Sequence, residues 1–366
     1  MKLEGLRVID LSMYLPGPHL TLMMSDHGAE VIRVEPPGGE PARKYGPFDS
    51  GHSVWFRNTH RGKKSISLNL KDSGDVDKLL SLCKDADVFV EAFRPGVVKR
   101  LGVDYEKIKQ INPAIIYCSV SAFGQTGPLS KKATHDMGAQ ALAGLLAIND
   151  DGTSAPVVPG LPGADMGSSM AGLAGILMAL YRRQVTGEGD YVDATMFDTC
   201  LSWTAHLNGS ALVEGKAPLT RTGRSIGGAA FYNIYKTNDN RFIALTGREV
   251  KFATSLLTEL GRPDLIPLCE LDDCIAQDPV KEFLSKSFES KSQAEWIEIL
   301  GHLELGWAPI LDMVEAFDSD QAKERGMIIK DAAGNTHVGN PIRFVNEPAE
   351  LRYEVPDFNQ HATEYF

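Results

Sequence analysis

The first third of the chain alternates short apolar runs with helical patterns, and no other feature constrains the fold as much. Residues 6–12, LRVIDLS, read as a buried strand, HLTLMMSDHG as a helix closed by Gly28, and AEVIRVE as a second strand. That is one β-α-β unit. The alternation repeats, with a helix in DSGDVDKLLSLCKDA leading to the strand DVFVEAF. A helix around VDYEKIKQI then leads through Asn112-Pro113 to the strand AIIYCSVSAFG. This alternation of buried strands and helices predicts a doubly wound, Rossmann-like parallel sheet with helices on both faces.

From Asp165 the pattern turns helical. MGSSMAGLAGILMALYRR carries small residues suited to close helix packing and ends at Gly187 and Gly189, and its apolar stretch reads as too short to span a bilayer alone. Residues 191–213 are expected as further helix after a short strand. GGAAFYNIYKTNDNRFIALTG then changes character and reads as a β-hairpin turning at TNDN. The expected organisation is a large Rossmann-like α/β domain over 1–190, linker helices over 191–224 and a smaller α+β domain over 225–312. Residues 313–366 are expected to return to the large domain.

Composition narrows the function classes. A net charge of −11 over 366 residues leaves no electrostatic footprint for nucleic acid, although an acidic protein can still carry a local basic pocket for a phosphorylated ligand. Cys83, Cys118, Cys200, Cys269 and Cys274 form no C-x-x-C pair, which argues for reduced thiols, no metal site and a cytoplasmic location. MKLEGLRVID lacks the basic-then-apolar layout of a secretion signal, so no membrane association is expected.

The first strand-to-helix turn, MYLPGPH, has one glycine and two prolines in place of G-x-G-x-x-G, which argues against a nicotinamide dinucleotide. The loop still stands where ligands settle in such sheets. Three carboxylate or imidazole positions then draw attention. His135-Asp136 opens the apolar helical run MGAQALAGLL, Asp165 follows a Gly- and Pro-rich loop directly before a helix, and Glu249 opens another helix. Each has a plain alternative, since Asp136 and Asp165 can serve as helix N-caps and Glu249 as an exposed first-turn residue. The functional alternative is a carboxylate at the positive end of a helix, acting as base or nucleophile.

Taken in order, LxGLRVIDLS, PGP, GAEVIRVEPPG, RGKKSISLNLK, DVFVEAFRPGV, NPAIIYCSVSAFGQTGP and RRQVTGEGDYVDATMFD resemble the family III coenzyme A transferases, the group that includes the α-methylacyl-CoA racemases. The resemblance covers nearly the whole chain. It implies that Asp165 is the catalytic aspartate. It further implies that His135 and Glu249 match the histidine and glutamate of racemase-type members, Glu249 orienting the imidazole. It implies CoA contacts at Lys71, Arg94, Arg43, Pro16 and Gly17, CoA arriving as part of the substrate with no tightly bound cofactor. It also implies an interlocked homodimer whose sites join one subunit's large domain to the other's small domain. Pro36 stands where many members carry an arginine for CoA phosphates.

Two reactions follow from the resemblance. Epimerisation of a 2-methylacyl-CoA thioester uses His135 and Asp165 as a pair of acid/base groups on opposite faces of an enolate, with the thioester oxygen held by backbone N–H groups at the helix following Asp165. CoA transfer between carboxylic acids uses Asp165 alone, through an aspartyl-CoA thioester. The histidine tilts the sequence reading toward epimerisation, whereas QALAG after it is wording common in transferases. A CoA-binding protein without catalysis is the alternative from another class.

Overall fold

A computed structural model describes residues 1–149 and 155–366. The chain forms two compact units, the first from 1–143, 160–203 and 319–366, the second from 144–159 and 204–318.

The first unit is built on six parallel strands: β1 (Arg7–Asp10), β2 (Glu30–Glu35), β3 (Lys64–Ser67), β4 (Val88–Glu91), β5 (Ile116–Ser121) and β6 (Asp190–Thr195). They lie side by side in the order β3-β2-β1-β4-β5-β6. This is a doubly wound order, and it reverses direction between β1 and β4. Successive strand residues point to opposite faces, which sorts the core into two layers. Val8, Val31, Val88 and Ile116 pack against Leu20 of α1 (Pro16–Asp26) and Leu173 and Ile176 of a long helix after residue 160. Ile9, Ile32, Phe89 and Tyr117 pack on the other face against Leu79 of α2 (Ser73–Cys83) and Ile108 of α3 (Tyr105–Ile111).

Two further helices carry the candidate residues: α4 (Asp136–Leu142) and the long α5 (Gly163–Thr186). A Cβ on Gly172 of α5 would fall 2.7 Å from Leu20, so the small residues read from the sequence do allow α1 and α5 to close on each other. At 24 residues α5 is long and apolar enough, by length and composition alone, to cross a membrane, which corrects the expectation from its shorter apolar stretch. Its Leu173, Ile176 and Leu180 face lies in the core of the first unit. Residues 191–224, expected as linker helices after a short strand, open on β6 at the sheet edge, followed by α6 (Met196–Trp203).

In the second unit the expected hairpin is β7 (Tyr232–Lys236) and β8 (Phe242–Thr246), antiparallel with Ile243 opposite Tyr235, and β9 (Trp307–Pro309) pairs with the other edge of β8. Leu245 and Tyr235 pack with Leu256 of α7 (Val250–Glu259), Leu284 of α8 (Asp278–Phe288) and Trp296 of α9 (Gln293–Leu300). The stretch 281–300 divides in two at Ser292, whose hydroxyl caps α9 while Glu295 reaches back to the Ser292 N–H at 2.8 Å.

Candidate active site

In an open parallel sheet the crevice forms beyond the strand carboxyl ends where the order reverses. Here the β1–α1 loop and the segment after β4 diverge at that point. They border a cavity of about 710 Å³ lined by Tyr14, Pro16, Arg94, Lys132, His135 and Asp165, among others. A second, apolar pocket of about 520 Å³ shares Met13 and Phe93 with it and is lined by Val34, Pro36, Leu68, Leu70 and Lys71. The residue in the place of the expected arginine, Pro36, is thus part of an apolar wall.

The pair that opens α4 divides its work in a way the sequence did not reveal. Asp136 was expected to cap its own helix, but the helix begins at Asp136 and His135 is the N-cap residue, its carbonyl accepting from Gly138 N at 3.0 Å. The Asp136 carboxylate reaches instead to the start of α5. Its Oδ1 accepts from Ala164 N at 2.7 Å and Asp165 N at 3.0 Å, and its Oδ2 from Gln140 Nε2 at 2.7 Å. Asp165 itself is not a cap. Pro162 precedes the helix and Asp165 sits within its first turn.

Asp165 is half-buried, and among the described residues no hydrogen bond reaches its carboxylate. Burial, with the Asp136 charge adding to it, pushes its pKa up to about 7. Two neighbouring carboxylates are thereby made unlike: one saturated with donors, the other bare and facing the cavity. The N–H groups expected to hold a thioester oxygen are already occupied, Ala164 and Asp165 on Asp136, and Met166 on Pro162 O at 3.0 Å.

His135 lines the same cavity as Asp165 and is exposed. Glu249 lies in the second unit, as the exposed residue preceding α7, beside a pocket of about 410 Å³ with Arg224, Tyr232 and Arg248. The structure therefore brings together two of the three expected catalytic residues within one unit.

Of the expected CoA contacts, Arg94 and Pro16 line the large cavity and Lys71 the apolar pocket. Arg43 does not fit that role. Its Nε and Nη2 grip Glu35 at 2.8 and 2.7 Å, its Nη1 donates to Pro356 O at 2.9 Å, and it lies 3.8 Å above the Phe56 ring. Gly17 is buried away from the cavity, and a Cβ there would fall 2.2 Å from that of Ser12, so its bare backbone serves loop packing. Two cations missed in the sequence, Arg100 and Lys132, line the large cavity. Each lies beside a residue already singled out, Arg100 after Arg94 and Lys132 before His135, but no motif marks either one.

The profile of CoA-transferase family III matches residues 3–362, and the chain belongs to that family. It is similar to the acetyl-CoA:oxalate CoA-transferase of Acetobacter aceti, 37% identical over 93% of this chain and 88% of that one. The succinyl-CoA:glutarate CoA-transferase of Homo sapiens is 31% identical, covering 99% of this chain and 84% of its own. The alpha-methylacyl-CoA racemase of Homo sapiens is 32% identical, covering 100% and 92%. Among solved structures, a CAIB/BAIF family protein from Brucella suis superposes with a TM-score of 0.86 at 29% identity, covering 99% and 97% of the two chains. The three relatives named for a reaction are enzymes, of both kinds foreseen in the sequence.

Proposed function

We propose that this chain moves CoA from an acyl-CoA to a free carboxylic acid, with Asp165 as nucleophile. The observation that carries the proposal is the bare Asp165 carboxylate facing the cavity beside a neighbour, Asp136, that is fully engaged. An Oδ atom of Asp165 attacks the thioester carbonyl, the C–S bond of the tetrahedral adduct breaks, and CoA leaves as thiolate, forming a mixed anhydride between Asp165 and the acyl group. The thiolate then attacks Cγ of Asp165, releasing the first carboxylic acid and leaving an aspartyl-CoA thioester. A second carboxylate attacks that thioester, and the freed thiolate takes over its acyl group, restoring Asp165. CoA is substrate throughout, and the scheme asks for no further cofactor. The apolar pocket suits the adenine ring, and Lys71, Arg94, Arg100 and Lys132 suit the phosphates.

The relatives named for oxalate and glutarate make short dicarboxylic acids the first candidates for donor and acceptor. A second reading, epimerisation of 2-methylacyl-CoA, is favoured by His135 lining the same cavity. It requires a second group, Glu249 in the resemblance, to orient the exposed His135 ring, whereas transfer asks only for the bare Asp165 carboxylate, which is why transfer is preferred. We further propose a homodimer. Met170, Leu177, Met178, Tyr181 and Val185 form one exposed apolar stripe along α5, and a second copy of the chain would cover it.

The test is to incubate the protein with acyl-CoA and a panel of dicarboxylic acids in heavy water and to weigh every CoA ester formed. A new CoA ester without deuterium supports transfer. Deuterium at C2 with no exchange of acid supports epimerisation, and neither product would remove both readings.

A further inference from the structure

Among the cavity-lining residues, Tyr14 is held in an unusual way. Its φ of 67° is left-handed, a region that bulky side chains rarely adopt and that persists only where the surroundings over-determine it. The surroundings here are a buried set of charges. The Tyr14 N–H donates to Glu40 Oε1 at 2.8 Å, the other Glu40 oxygen accepts from Arg33 Nη2, and Arg33 Nη1 donates to the Asp10 carbonyl at 3.1 Å. Glu40, Arg33 and Asp10 are all fully buried.

The rest of the loop is tied to the same network. The Asp10 carboxylate accepts from Ser12 N at 2.9 Å and from Lys63 Nζ at 3.1 Å, and Lys63 Nζ also donates to Pro18 O at 2.9 Å. The loop is therefore pinned at Ser12, Tyr14 and Pro18, before, within and after the strained residue. Buried ion pairs are a poor source of stability, because desolvation offsets their attraction and apolar residues of like volume serve as well. None of the four charged groups lines the cavity that contains Asp165. Tyr14 does, with part of its ring still exposed.

We propose that Tyr14 is a substrate-contacting residue, presented to the acyl-CoA in this cavity, and that Glu40 is a positioning residue that holds it in its left-handed conformation through the Tyr14 N–H. The proposal rests on the acyl-CoA reading of the site. What it adds is a reason for the buried Glu40–Arg33 pair and a role for a residue that no sequence motif marks.

The experiment combines Tyr14→Gly, Glu40→Gln and the double variant, each followed by thermal melting, acyl-CoA calorimetry and steady-state kinetics. Glycine adopts a positive φ without strain, so Tyr14→Gly should melt at or above the wild-type temperature. Its KM for acyl-CoA should nonetheless rise about tenfold, the loss expected for an aromatic contact with the ligand. Glu40→Gln should raise KM in the same direction. Adding it to Tyr14→Gly should change KM no further, because the group it positions is gone. Unchanged KM in Tyr14→Gly, with wild-type protein binding acyl-CoA, overturns this proposal alone. Fully additive losses overturn the role of Glu40. Absence of acyl-CoA binding by wild type overturns this proposal and the functional reading together.

Discussion

Asp136→Asn separates the two things Asp136 does for Asp165. The amide keeps an Oδ1 that can accept from Ala164 N and Asp165 N, and Gln140 can turn its own amide to accept from the new NH2, so the start of α5 keeps its cap. The negative charge is lost. Like charges on neighbouring carboxylates repel by at most about 4 kcal/mol at an effective dielectric near 20, a ceiling of about three pKa units. Three donors already draw on the Asp136 charge, so a fall of about one unit is expected for Asp165, from its present position near 7. Activity requires the carboxylate form, and the acid limb of the kcat/KM profile reports the free enzyme. That limb should lie near pH 7 in wild type and move down by about one unit in Asp136→Asn, making the variant relatively faster at pH 6. Asp136→Ala should instead lose about 1 kcal/mol of stability with the cap. An acid limb that stays in place or moves up in Asp136→Asn would refute the electrostatic argument.

Asp165→Asn should abolish turnover and at the same time stabilise the fold above neutral pH. The Asp165 pKa is raised on folding from 3.8 to about 7, so its ionisation opposes folding progressively across that window, by roughly 1.4 kcal/mol per unit before allowing for its partial exposure. Melting temperatures of variant and wild type should therefore converge below pH 4 and diverge toward pH 8. Arg94→Ala should raise KM for acyl-CoA about tenfold with little change in kcat, and that penalty should shrink in high salt. Tyr181→Glu on α5, where Tyr181 is 74% exposed, should leave the melting temperature near that of wild type and convert a dimer to monomers in sedimentation.

The strands β1, β2, β4 and β5 were legible because each carries an apolar run bounded by periodic helices, so local pattern and global position agree, whereas β3, with the polar sequence KSIS, left no such run and was not foreseen. That Asp165 lines a cavity agrees with its choice as a candidate, but the surroundings of its carboxylate were not legible. The plain alternative read each of Asp165 and Asp136 as the cap of its own helix, whereas the carboxylate that caps α5 is Asp136, crossing from α4 over a separation of 28 and 29 residues. Such a bond leaves no periodic trace. Arg43 misled for the opposite reason: an arginine a few residues after Pro36 has the chemistry to stand in for the arginine expected there, but Glu35 and Phe56 claim it first. The left-handed Tyr14 escaped notice because its fixing partner, Glu40, lies 26 residues away. Glycine rather than tyrosine is the residue that usually announces that conformation.

The central claim is that Asp165 becomes covalently joined to CoA, and the most direct measurement is to trap it. The protein is incubated with acyl-CoA and hydroxylamine, digested, and the peptide that carries Asp165 is weighed. The account predicts a hydroxamate on Asp165, formed only when acyl-CoA is present, with activity lost in proportion. An unmodified peptide from a protein that turns over acyl-CoA in the same tube would contradict it.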